Sequence, residues 1–233
     1  MITIRRAIFI ITALAIAAGA VFVAFNAEDV LDRISPFDLD QPPNAFTSLH
    51  LFLLRTDAPH CFAALDRGNV DYERVSDKPI TNGCGFDNAA ILKQSTASFT
   101  GAGPVLLRCR ALISLILWER QIVEPAAIRV LGHRVTTIRH FGTYSCRNIN
   151  HARIGRRSQH AFANAVDIAA FQTDDGTTIS VAKDWSDPGP RGQFLHEIRD
   201  GACRFFGVVL SPDFNAAHYN HFHLDTGMWI ACR

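Results

Sequence analysis

The sequence has almost no net charge. Its 23 lysines and arginines against 22 acids leave +1 over 233 residues. A balance that near zero argues against a general nucleic-acid binder. Glycine and proline are modest, at 15 and 10 residues, which excludes collagenous and low-complexity chains. With 48% hydrophobic and 19% charged residues, a disordered chain is excluded as well. No internal repeat is present, and no two cysteines stand in a Cys-x-x-Cys pair. That absence weakens a zinc-knuckle or thioredoxin-type reading. The length allows one domain with a sizeable core, or two small ones.

What is there begins with an apolar run. Ala7–Phe25 holds 19 residues without a charge, preceded by Arg5-Arg6 and followed by Glu28-Asp29. This asymmetry predicts a cytoplasmic N-terminus with the body across the membrane. A cleaved signal peptide would use the small-x-small site Ala18-Gly19-Ala20. Against cleavage, Val21–Phe25 continues the run to the length of a spanning helix. Residues 1–27 are therefore read as a retained signal anchor, with a signal peptide as the alternative. The body is expected in the periplasm, anchored to the inner membrane or released if the segment is cleaved. All six cysteines (Cys61, Cys84, Cys109, Cys146, Cys203 and Cys232) follow this segment, as structural disulfides in an oxidising compartment would. Fifteen pairings are possible and the sequence does not choose.

Residues 28–45, with Ser35-Pro36 and Gln41-Pro42-Pro43, read as a short stalk. The domain proper is 46–233, with 46–103 as its N-terminal part and 104–233 as its core. In the first part, a short helix is expected near Asp57-Ala58-Pro59, a strand over 70–75, and a turn at Asn82–Gly85. Pro104 is expected to start the clearest helix, with Leu106, Leu107, Leu112, Ile113, Leu115, Ile116 and Leu117 on its apolar face. Pro125 would open a second helix ending at Gly132. Strands are expected over 135–144, 165–171 and 177–181, the last entered through Asp174-Asp175-Gly176. Phe194, Ile198, Ala202 and Phe205 recur at helical spacing up to Gly207. Phe222–Asp225 reads as the last strand. Strands and helices mix without β-α-β alternation, which predicts an α+β fold.

The chemistry concentrates in two segments. His218, His221 and His223 fall within six residues, and on a strand His221, His223 and Asp225 share one face. Upstream, Ser158-Gln-His160 is followed by Asp167 at a seven-residue offset, which suits a loop entering a strand. Two histidines and one aspartate are the ligand count of a catalytic zinc site with one position open for water.

Ser158-x-His160-x-x-Ala163-x-Ala165-x-Asp167 resembles the Ser-x-His-x-x-Gly-x-Ala-x-Asp motif of zinc D-Ala-D-Ala peptidases. His221-x-His223 resembles the His-x-His of the same superfamily, which includes lysostaphin, murein endopeptidases and the hedgehog signalling domain. His218-x-x-His221-x-His223 is most similar to the murein endopeptidases. More closely, Gly142–Arg147, Ser158–Asp167 and His218–Asp225, with the cysteines around them, resemble the bacterial extensin-like C-terminal domain family from about Cys61 to Cys232.

The resemblance implies a small antiparallel sheet with flanking helices around one Zn2+ per chain. It implies His160, Asp167 and His223 as ligands, His221 as the catalytic imidazole and His218 as an auxiliary polarising group. Two positions depart from the pattern. Ala163 stands where the motif has Gly, so a turn with positive φ would be strained there. Asn220 stands where the D-Ala-D-Ala enzymes carry a basic Glu, so His221 would have to accept the proton. Asp225 either fixes a histidine tautomer or caps a turn.

Between Pro125 and Val166 there is no acid but seven arginines. Arginine binds carboxylates bidentately, and peptidoglycan stem peptides are rich in them. Arg147, on the expected Tyr144–Arg147 strand, is the candidate substrate anchor, with Ser158 beside it. The expected function is an exported zinc hydrolase cutting amide bonds of cell-wall peptidoglycan. The alternative is a zinc-containing wall-binding module without catalysis. A metal-dependent nuclease, suggested by Asn220-His221 and the arginines, is disfavoured by export and neutral charge.

Overall fold

The computed structural model describes residues 2–233. It opens with α1 (Ile2–Phe25), whose Ile4–Val23 stretch is long and apolar enough to cross a membrane and buries nothing against the body. The expected stalk is instead packed. Helix α2 (Ala27–Ile34) and the turn after it bury Leu31, Phe37 and Leu39. The Pro-rich composition suggested solvent, but four apolar side chains at 30, 31, 37 and 39 are enough to seat the segment on the core. Helix α3 (Thr47–Leu53) follows, then α4 (Ala58–Arg67), capped by the Asp57 carboxylate accepting from the His60 N–H.

Six strands come next: β1 (Asp71–Arg74), β2 (Lys78–Thr81), β3 (Cys84–Phe86), β4 (Ala89–Gln94), β5 (Ser98–Gly101) and β6 (Val105–Arg108). β1, β4 and β6 form an antiparallel sheet in the order β1-β4-β6, and β2-β3 is a hairpin turning at Asn82-Gly83. Pro104 therefore starts a strand, not a helix. Val105-Leu106-Leu107 fits either period locally, and pairing to Ala89–Leu92 decides it.

Helix α5 (Cys109–Trp118) starts five residues later than expected. It runs without a break through a π-helical turn at Glu119–Val123, α6 (Glu124–Ala126) and a second π turn at Ala127–Leu131. Pro125 lies inside this rod, where wider i→i+5 turns on both sides accommodate a residue with no N–H. Gly132, at φ 75°, ends it as expected.

β7 (Val135–Gly142), β8 (Ala165–Thr173), β9 (Thr178–Ser180), α7 (Val181–Asp184), α8 (Pro190–Ala202), β10 (Val208–Leu210), β11 (Phe222–Asp225) and β12 (Ala231–Cys232) complete the chain. The main sheet has seven strands in the order β12-β10-β11-β8-β7-β5, with β9 also paired to β8. Its centre is antiparallel, but β5 runs parallel to β7, and β12 parallel to β10. The sheet is therefore larger and more mixed than the small antiparallel one expected, and β12, not β11, is the last strand. β5 lies so close to β7 that a Cβ at Gly101 would meet the His140 carbonyl at 1.9 Å. One face of the sheet packs on α5 and α8, where Phe171 meets Trp118 and Phe194 edge-on. The other face carries Asp167, His223 and Asp225.

Candidate metal centre

The centre is built by strand register. β8 and β11 are antiparallel with His223 opposite Asp167, so both side chains rise from one face. Val166 and Ile168, one step either side of Asp167, point into the core. His160 arrives from a 3-10 turn, Gln159–Phe162, just before β8. The Ser158 hydroxyl caps this turn by accepting from the His160 N–H at 3.4 Å, so the buried Ser158 serves the turn. Ala163 ends it at φ 51°, ψ 33°, the left-handed conformation that the motif's Gly would take without strain.

Three atoms converge. His160 Nε2 is 3.1 Å and His223 Nδ1 2.9 Å from Asp167 Oδ1, and the two nitrogens are 3.2 Å apart. Ligands about 2.1 Å from a tetrahedral zinc stand roughly 3.4 Å from one another, so the spacing is slightly tighter than, and near, that of a zinc site. The outer atoms of both rings are occupied. His160 Nδ1–H donates to the Thr143 carbonyl, and His223 Nε2–H to Asp225 Oδ2 at 3.0 Å. With the inner nitrogens deprotonated, each ring would aim a lone pair inward, the arrangement metal-binding histidines share. Asp225 Oδ1 also accepts from the Gly227 N–H, so Asp225 both holds a tautomer and caps a turn. The donor set fits zinc.

Burial works to raise the Asp167 pKa. The hydrogen bonds and positive fields of His160 and His223 outweigh it and hold the carboxyl well below its ordinary range. Burial likewise works to lower His223, but bonds to Asp167 and Asp225 push it up to about 9. A proton thus sits where a cation would replace it.

His221 lies beside the three, with Nε2 3.6 Å from Asp167 Oδ1. Its Nδ1–H donates to Asn220 Oδ1 at 2.8 Å, which leaves Nε2 unprotonated. His218 repeats the device, donating to Asn215 Oδ1 at 2.8 Å. Burial first, then the neighbouring histidines, lower His218 to about 4, and burial lowers His221 too. Both are neutral imidazoles at pH 7. Arg147 reaches Asp167 Oδ2 from 3.4 Å. It sits on a loop and not on a strand: β7 stops at Gly142 and the Cys84–Cys146 disulfide draws the chain aside.

Thr143, Asn215 and Asn220 are the partners that sequence reasoning missed as contributors. A carbonyl carries no residue signature, and an asparagine one or three residues from a histidine is unremarkable until the turn forms. Phe141, packed edge-on to His221 at 5.9 Å, was also missed. The six cysteines pair as Cys61–Cys109, Cys84–Cys146 and Cys203–Cys232, with none free.

No curated protein and no solved structure matches the chain. The family described as extensin-like protein C-terminus matches residues 59–233, three quarters of the sequence and the whole of the candidate metal centre, and the chain belongs to that family.

Proposed function

We propose that the chain is an exported zinc hydrolase of the lysostaphin and D-Ala-D-Ala peptidase superfamily, cutting amide bonds of peptidoglycan stem peptides in the periplasm. The observation that carries this reading is the convergence of His160 Nε2, His223 Nδ1 and Asp167 Oδ1, each oriented by a second bond. A zinc ion held there supplies Lewis acidity, polarising a peptide carbonyl and acidifying water. His221 Nε2 accepts the proton of the attacking water and returns it to the amine nitrogen as the C–N bond breaks. His218, neutral at its side, adds a hydrogen bond without adding charge. Arg147 positions a substrate carboxylate against the site.

Asn220 favours a second reading, a zinc-containing module that binds wall peptide without cutting it, because no acid stands ready as base. One experiment separates the two. Purified protein is analysed for metal and incubated with peptidoglycan, and released fragments are read by mass spectrometry. New amine and carboxylate ends that vanish with chelator support hydrolysis. Wall retention with no fragment from metal-loaded wild type supports the module.

A further inference from the structure

On the far side of the His160 turn lies a cavity of about 230 Å³ that none of the metal-centre histidines line. Three guanidiniums share it: Arg55 at the end of α3, and Arg108 and Arg110 at the start of α5. Arg110 donates from Nε to the Leu51 carbonyl and from Nη1 to the Thr226 carbonyl, both at 2.6 Å. Carbonyls hold it in place without cancelling its charge. Arg108 pairs with Asp87 at the edge, and Arg55 lies over the Phe52 ring with no carboxylate partner among the described residues. Burial, then the field of Arg55, lowers Arg110 to about 10, with Arg108 adding to the effect and Asp225 opposing it. Three cations in a partly buried space with one paired acid are an unbalanced charge. The start of α5, which has no acid in its first turn and no side-chain cap, adds positive potential to it.

The apolar part of the lining is Leu54, Ala58 and Met228, and the exposed Phe52, Trp229 and Ile230 lie beside these in sequence. The cavity also belongs to the membrane-proximal end of the body. Only six positions of chain, interrupted by the non-helical Asn26 between α1 and α2, lead from Val23 to Asp29, and Asp29 bonds His60 on α4 at 2.9 Å, two residues from Ala58.

We propose that this cavity binds a phosphate oxyanion, supplied by the headgroup of an anionic phospholipid, and so seats the body on the bilayer surface. Guanidiniums reaching one space from separate directions suit the several acceptor oxygens of a phosphate better than one planar carboxylate. An apolar rim beside a basic pocket suits the boundary between headgroup and acyl chain. The proposal rests on α1 being retained, which carbonate extraction of cell membranes reads independently.

The test uses full-length protein in neutral detergent, titrated with dihexanoyl phosphatidylglycerol and, separately, inorganic phosphate. The comparison protein is the Arg55→Gln/Arg108→Gln double variant, which leaves the Arg110 clasp in place. Arg55→Gln alone serves if the double variant misfolds. The lipid at about ten times its Kd should raise wild-type Tm by roughly 3–6 °C. Its affinity should fall about tenfold or more in the variant, as lost charge-assisted bonds require. Equal binding by variant and wild type, or no binding by either, overturns the site. Inorganic phosphate binding as tightly as the lipid keeps the oxyanion chemistry and overturns the lipid as its source.

Discussion

Thr143 and Asp225 lie outside the cluster of three candidate ligand atoms, yet they decide what His160 and His223 present to it. Purified protein should hold about one zinc, and His160→Ala or His223→Ala should empty the site, since two ligands do not make one. Full metal content in both variants would reject the assignment. Asp225→Ala should weaken zinc by about 10–100-fold, the usual effect of losing a histidine's outer partner, measurable by competition with a chromogenic chelator. His221 separates binding from chemistry. Its Nε2 faces the cluster but stands farther from Asp167 than the His160 and His223 nitrogens do. His221→Ala should keep wild-type zinc and slow hydrolysis by about 10²–10⁴-fold. Hydrolysis unchanged in that variant would place the base elsewhere, with His218 next to test.

The turn that delivers His160 forces Ala163 into the left-handed region although its methyl is buried. Ala163→Gly removes roughly 1 kcal/mol of backbone strain and loses about 0.8 kcal/mol of methyl burial. The two nearly cancel, so denaturant unfolding should move little. Ala163→Val adds β-branching and bulk at the same φ and should destabilise by about 2 kcal/mol or more; an equally silent valine would contradict the strain. The α2–α3 clasp makes an independent prediction. His50 Nδ1 bonds Glu28 at 2.9 Å and Nε2 bonds the Ser35 carbonyl at 2.8 Å, so both nitrogens donate when the ring is charged. Burial works to lower its pKa, but these bonds outweigh it and the pKa is raised above 6.5. The clasp is therefore fully present below pH 6.5 and is lost as pH rises through the raised value. Hydrogen exchange in α2, corrected for intrinsic rate, should show protection falling from pH 6 to pH 8.5, and His50→Gln should abolish that dependence. The histidine pattern was readable in the sequence because period-two spacing and a seven-residue offset are local facts. What governs the Pro104 segment is nonlocal: its strand exists because of residues 89–92, and the helix through Pro125 because of π turns that no pattern announces. The packing of residues 28–45 was hidden for the same reason, since Phe37 and Leu39 find their partners across the core.

Three disulfides tie the outer parts of the molecule to the framework around the candidate metal centre. Cys61–Cys109 joins α4 to the start of α5, Cys84–Cys146 joins β3 to the loop that carries Arg147, and Cys203–Cys232 fixes β12 behind α8. They close loops of 48, 62 and 29 residues, long enough for each to contribute about 2–4 kcal/mol, mostly by restricting the unfolded chain. A native thiol titration should find none free, and denaturing reduction should release all six. The bridges differ in what else they hold. Replacing Cys203 and Cys232 together by serine frees an edge strand paired through only two register positions, with β10 standing between it and the strand of His223. That variant should lose stability and keep its zinc and its hydrolysis. Replacing Cys84 and Cys146 together should cost similar stability, but it also loosens the segment from Thr143 to Arg147. Through the Thr143 carbonyl the loosening reaches the His160 tautomer, and through Arg147 it reaches Asp167. Zinc affinity should therefore fall in this variant alone, read by chelator competition at a temperature where both variants remain folded. Equal zinc affinity in the two would show that the centre is held by β8 and β11 without help from the loop.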